Sequence, residues 1–274
     1  MSGVKRYLIM FKFFLWLLAA AASLPTLAQA EDCPAPKTMV FHVESQIERD
    51  TLGFTQGLEV HGDVLFESTG PIDGETRLNT IDRKGHVTPL AKFGNTFFGE
   101  GLTILGNEMF QLSWKDHKVF VYDLTGKRVR EMPTKYDGWG LTNDGTNLIF
   151  TDGGDRLYFA DPQTLKIRRS APVRLGGKPV PNLNELEWVD GKIYANVFTT
   201  PAIVRVVPET GCIDATADLS KVLWPRMSLN ERERLLSSDN YVLNGIAYDK
   251  RDGTFFLTGK RWRWIFVGKF TPAD

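Results

Sequence analysis

A carboxylate, an ammonium group and several amides recur at matching places along this sequence. Together they could move a proton while holding a polarised carbonyl. The carboxylate is Glu100, within Phe98-Gly99-Glu100-Gly101-Leu102-Thr103. Four other segments share its pattern of a functional residue, a neighbour that is small in all but one copy, then an apolar strand. They are Gln56-Gly57-Leu58, Trp139-Gly140-Leu141, Asn184-Glu185-Leu186 and Asn244-Gly245-Ile246. Successive copies start 44, 39, 45 and 60 residues apart. A period of roughly 40–50 residues is the length of a propeller blade, and inner strands of a propeller begin near its axis. The five first positions therefore converge on a central channel, with Glu100 their only acid.

The second strands end near the same mouth and add Trp114, Phe198 and Lys260, with Phe54 and Phe98 close by. Taken singly, each residue has an ordinary structural reading. Glu100, Asn184 and Asn244 could close turns, the tryptophans could be core, and Lys260 could be solvated. Polar groups at five equivalent inward positions are costly to bury unless they are used. Glu185 stands where the other four copies carry Gly, and the pattern offers no role for it. His42, His61, His86 and His117 show no metal-ligand spacing, and no G-x-S-x-G elbow or phosphate loop is present. Covalent catalysis thus has no candidate nucleophile. One rival enzyme reading is a propeller lactonase or esterase with a cation held by Glu100, Asn184 and Asn244; Lys260 and two tryptophans make a poor cation neighbourhood. The non-enzymatic rival is a binding scaffold, which would display its distinctive residues on the outer rim.

The elements that must position these residues are strands and turns. Each repeat continues with a second strand, such as Met109–Trp114 or Ile193–Phe198, usually introduced by an Asp-Gly type turn. The fifth repeat supplies only three strands, so the spare N-terminal strand Thr38–Val43 is expected to complete it and close the circle. The long last spacing comes from Leu219–Asn240, where Ser228-Leu229-Asn230-Glu231 has the form of a capping box. This insertion either covers the channel mouth or packs on the rim. The expected fold is all-β: a five-bladed β-propeller closed by an N-terminal strand in the last blade, with a short helical insertion before the fifth repeat.

Residues 1–30 read as a signal peptide. Lys5, Arg6 and Lys12 precede the apolar run Phe13–Leu24, too short to span a bilayer, and Ala28-Gln29-Ala30 suits cleavage. Residues 31–274 form the expected catalytic domain, exported to a bacterial periplasm and monomeric. In an oxidising compartment Cys33 and Cys212 can pair. The chain carries 33 basic and 33 acidic side chains, a balance that argues against nucleic acid or an anionic membrane as partner. Its longest basic run, Lys260-Arg261-Trp262-Arg263, reads as a local feature.

Phe54-Thr55-Gln56-Gly57-Leu58, the Glu100 segment, Trp139-Gly140-Leu141-Thr142, Leu183-Asn184-Glu185-Leu186-Glu187-Trp188, Leu243-Asn244-Gly245-Ile246-Ala247 and Leu257-Thr258-Gly259-Lys260 together resemble the plant-type glutaminyl cyclases, which also occur in bacteria. The resemblance runs from about residue 40 to 270. It implies conversion of N-terminal glutamine in peptides or proteins to pyroglutamate with loss of ammonia, without cofactor or metal. It also implies that Glu100 transfers protons, and that Phe54, Gln56, Phe98, Trp114, Trp139, Asn184 and Lys260 line the pocket. Where the family usually has tryptophan after Ala195-Asn196-Val197, this chain has Phe198, which keeps a ring and loses the indole donor. A pocket this narrow should admit only a free N-terminus, with weak sequence preference beyond the first residue.

Overall fold

The computed structural model describes residues 33–273. The signal-peptide reading of residues 1–30 lies outside them. The described chain is all-β, mostly strands, arranged as an eight-stranded sheet and several smaller ones. Three antiparallel four-stranded sheets come first: β2 Thr55–His61, β3 Val64–Thr69, β4 Arg77–Ile81 and β5 Val87–Lys92; β6 Phe98–Leu105, β7 Glu108–Trp114, β8 Lys118–Asp123 and β9 Arg128–Pro133; and β10 Leu141–Asn143, β11 Leu148–Phe150, β12 Arg156–Ala160 and β13 Ile167–Pro172. A two-stranded ribbon, β14 Arg174–Leu175 with β15 Lys178–Pro179, follows.

The eight-stranded sheet consists of two further meanders joined through the N-terminal strand β1, Lys37–Glu48. One meander is β16 Leu183–Val189, β17 Lys192–Val197, β18 Ala202–Val206 and β19 Ile213–Asp218; the other is β20 Leu243–Asp249, β21 Thr254–Gly259 and β22 Trp264–Pro272. β1 runs antiparallel to β22 from Met39↔Pro272 to Glu48↔Trp264. Its first residues pair in parallel with β19, Lys37↔Ala215 and Thr38↔Thr216. It buries Met39 and Phe41 against Tyr194, Phe255 and Phe266, and so leaves β22 without a bare edge.

Every first strand touches the first strand of the next unit, in the cyclic order β2, β6, β10, β16, β20 and back to β2. Apolar clusters fill the gaps between neighbouring units. Leu78 and Phe66 meet Met109 and Tyr122 in one gap, and Leu58 and Ile81 meet Phe256 and Ile265 in the gap between the last unit and the first.

The recurring motif is a backbone device. Pairing of first with second strand slips register between Thr55 and Gly57, Gly99 and Leu102, Leu183 and Leu186, and Leu243 and Ile246. Such bulges bend the strand and re-aim a side chain, and here they turn Gln56, Glu100, Asn184 and Asn244 away from the pleat. The small neighbour is needed because backbones meet at this point. A Cβ on Gly101 would lie 2.4 Å from Leu141 N, and one on Gly140 would lie 1.8 Å from Asn184 O.

Glu185 breaks the small-residue rule because its carboxylate does the joining instead. Oε1 accepts from Leu58 N at 3.1 Å and Oε2 from Ile246 N at 2.8 Å, tying β16 to β2 and β20. Further along, half-buried Glu59 accepts from Thr103 Oγ1 and Ile104 N, and the loss of water around it pushes its carboxyl up to about 7.

The insertion folds as α1 Ser220–Leu223 and α2 Leu229–Ser237, followed by a 3-10 turn at Asp239–Tyr241. The capping box forms: Glu231 N donates to Ser228 Oγ at 3.3 Å, and Ser228 N to Glu231 Oε2 at 2.7 Å. Cys33 and Cys212 are joined in a disulfide.

Deleting residues 38–43 should cost far more than trimming a free end, because it removes two buried side chains and reopens an edge. With each large apolar truncation worth about 2–5 kcal/mol, the melting temperature should fall by on the order of 10 °C, measurable by thermal denaturation of the purified chain.

Candidate active site

Nine of the ten residues expected at the channel mouth line one cavity of about 250 Å³: Phe54, Gln56, Phe98, Glu100, Trp114, Trp139, Asn184, Phe198 and Lys260. The tenth, Asn244, lies one layer behind. Its Nδ2 donates to Thr55 O at 3.0 Å and to Gln56 Oε1 at 3.1 Å, and Gln56 Nε2 in turn donates to Glu100 Oε1 at 3.0 Å. Asn244 therefore fixes which face of the Gln56 amide meets the carboxyl. Thr55, between Phe54 and Gln56, gives its hydroxyl proton to buried Glu67 at 2.6 Å. Arg49 Nη2 neutralises that carboxylate at 2.8 Å and is equally buried. A buried polar network of Thr55, Glu67 and Arg49 thus stands behind the cavity.

Glu100 and Lys260, deep in the cavity, are each about 5% exposed. Burial pushes the Glu100 carboxyl well above the usual carboxylate range, and the Lys260 charge pulls it partly back. Burial holds Lys260 below the usual lysine value, against the opposing charges of Glu100 and Asp239. Each group's departure from water favours its neutral form, and each is the other's main source of relief. The Lys260 ammonium also sits 4.8 Å from the Phe54 ring centre and 4.7 Å from that of Phe198, so two aromatic faces stand in for part of its lost hydration. Phe198, standing where an indole was expected, keeps this ring contact.

Edge-to-face pairs build the wall: Phe54 with Phe98 at 6.2 Å, Phe98 with Trp114 at 5.5 Å, and Trp139 with Phe198 at 5.5 Å. Lys260 is aimed inward by a tight turn after β21, in which its N–H donates to Val242 O at 2.9 Å and Arg261 N to Gly53 O at 2.8 Å. One acceptor remains unanswered in the wall, since Asn184 Oδ1 is buried with no hydrogen-bond partner.

Three lining residues escaped the sequence reading: Ile72, Asp239 and Asn240. Asp239 and Asn240 belong to the turn that ends the insertion, which thereby forms part of the cavity rim. Their nearness to Asn244 in sequence was the available signal. Ile72, 42% exposed on a short 3-10 turn, carried none beyond an apolar residue in a loop. Among the described residues no group of three or more His, Cys, Asp or Glu side chains could hold a metal ion.

The profile of the glutamine cyclotransferase family matches residues 15–270. The chain belongs to this family. A glutaminyl-peptide cyclotransferase of Arabidopsis thaliana is 40% identical over 237 residues, covering 85% of this chain and 72% of that protein. The crystal structure of the Myxococcus xanthus glutaminyl cyclase superposes with a TM-score of 0.76 at 30% identity, covering 87% of this chain and all of the other. That likeness fits a β-propeller-like fold for this member of the glutamine cyclotransferases.

Lys260→Met should raise the Glu100 pKa further, because burial would then act without an opposing positive charge. An NMR titration of the labelled glutamate carboxyl reads the shift directly; an unchanged or lowered value would contradict the coupling.

Proposed function

We propose that the protein converts the N-terminal glutamine of peptides or proteins to pyroglutamate with release of ammonia. Family membership supports the reaction class. The observation that carries it at the level of chemistry is the relay Asn244–Gln56–Glu100, ending in a buried carboxyl opposed by Lys260 inside a ring-walled cavity. The substrate's α-amine attacks its own side-chain amide carbon. A C–N bond forms, and the carbonyl electron pair moves onto oxygen. The nucleophile is tethered, so no covalent enzyme intermediate is needed.

Glu100 takes a proton from the attacking amine and delivers one to the departing nitrogen; the carbonyl re-forms as ammonia leaves. A carboxyl held well above the usual carboxylate range by burial is better matched to both transfers than an ordinary one. Lys260 is the donor for the oxyanion. The unpartnered Asn184 Oδ1 accepts an N–H of the substrate carboxamide. Gln56, committed to both Glu100 and Asn244, is a positioning residue. The rings of Trp114, Trp139 and Phe98 hold the glutamine side chain folded and keep water out.

We infer further that the fold is a five-bladed β-propeller whose last blade is β20, β21, β22 and β1. The cyclic contacts of the first strands support this. Export to an oxidising compartment is part of the proposal, supported by the Cys33–Cys212 bond.

Incubation with a glutaminyl peptide should release ammonia and lower the peptide mass by one ammonia; no mass change would refute the reaction. Glu100→Gln should fold normally and lose at least about a hundredfold in kcat, the usual span for a proton-transfer group, and near-normal turnover would remove Glu100 from the mechanism. Activity should survive a metal chelator and dialysis, whereas a clear loss would favour the lactonase-like metal site.

A further inference from the structure

The basic run Lys260-Arg261-Trp262-Arg263 has only its first residue in the reaction cavity. The same turn that sends Lys260 inward holds Arg261 at a φ of 60°, a left-handed conformation that side chains other than glycine adopt at a cost, and sends it toward a second hollow. This groove, about 440 Å³, lies between the insertion and the start of β22. Arg226 and Arg234 line it from the insertion, Arg261 and Arg263 from the turn, with Tyr241 and Trp264 among its apolar surfaces.

Groove and cavity have separate linings that particular contacts bring side by side. The Arg261 guanidinium carbon is 5.7 Å from the Phe54 ring, a wall of the reaction cavity, and 5.4 Å from the Tyr241 ring, a wall of the groove. Arg234 lies near the same Tyr241 ring, 5.8 Å from its centre. Asn240 of the cavity rim and Tyr241 of the groove are consecutive residues. Arg226 and Arg234, the two groove arginines of the insertion, face a single lining carboxylate, Glu231, which the helix cap already engages; Arg226 Nη1 donates to Val222 O at 2.6 Å, and Arg263 is paired with Glu48 outside the groove.

A peptide whose glutamine fills the cavity must leave past this rim, and each extended residue spans roughly 3.3–3.6 Å. We propose that the groove receives the second and third residues of the substrate and selects those bearing a carboxylate. The inference rests on the cyclisation proposed above and replaces the expectation of weak preference beyond the first residue. Guanidinium groups bind carboxylates through paired N–H donors, and the tyrosine face keeps the Arg234 fork oriented.

The test compares C-terminally amidated Gln-Ala-Ala, Gln-Glu-Ala, Gln-Ala-Glu and Gln-Ala-Lys on the full chain. Cyclisation of Gln-Ala-Ala establishes the reaction by itself, so failure of that reaction is separable from failure of the groove. At low salt at least one Glu peptide should exceed Gln-Ala-Ala in kcat/KM by roughly three- to tenfold, the scale of one or two partly exposed ion pairs. The gain should lie in KM, with Gln-Ala-Lys below the neutral peptide. It should shrink toward one in about 1 M salt. In the double variant Arg226→Gln, Arg234→Gln, both at exposed sites, the ratio of acidic to neutral peptide should fall toward one. Equal kcat/KM for all four peptides, or an acidic preference that the double variant retains, would overturn the assignment.

Discussion

The structure depends on backbones meeting at close quarters around an axis. Where β6 passes β10, and β10 passes β16, there is no room for a Cβ, and β6 and β16 bulge at the same points. A bulge in isolation is a local cost; here the next unit's backbone occupies the space it opens. At the fourth unit the close approach gives way to the Glu185 carboxylate, whose two oxygens hold N–H groups of the first and fifth units. The functional side chains stand at these bulges, so the constraint that assembles the molecule also sets their direction.

That arrangement makes burial of charge affordable at the site. Taking a carboxyl and an ammonium out of water is expensive, and attraction between them repays the expense only with good geometry and further polar contacts. Glu100 has Gln56, itself fixed by Asn244; Lys260 has two aromatic faces. The Asn184 oxygen has no hydrogen-bond partner. A site meant only for stability would have closed this contact. One that must bind an amide, an amine and a transient oxyanion keeps it open.

Much of this was legible in the sequence because it is local or repetitive. The inner-strand motif, the Ser228 capping box and the strand pattern follow from residue spacing, and the inward direction of Gln56, Glu100 and Asn184 follows from repetition. What was not legible involves contact across the axis or between distant segments. Glu185 looked anomalous because its partners, Leu58 and Ile246, are roughly sixty or more residues away. Asn244 looked like a lining residue because its motif is equivalent to the others, yet its amide is consumed by Thr55 and Gln56. Asp239 and Asn240 sit in an insertion with no counterpart in the other repeats, so no internal comparison could mark them.

The pairing of β1 carries a consequence for how the chain is made. Its parallel neighbour β19 and the partner of Cys33 lie some 180 residues downstream, at a separation of 179 for the disulfide, and its antiparallel partner β22 is further still. During ribosomal synthesis the earliest strand of the domain must therefore wait, unpaired, until nearly all the rest has emerged. Such non-local pairing is slow and leaves apolar residues such as Phe41 open to wrong partners meanwhile. Final maturation is thus a post-translational event, in which a waiting strand slots between two finished neighbours and a covalent bond then makes its return unfavourable.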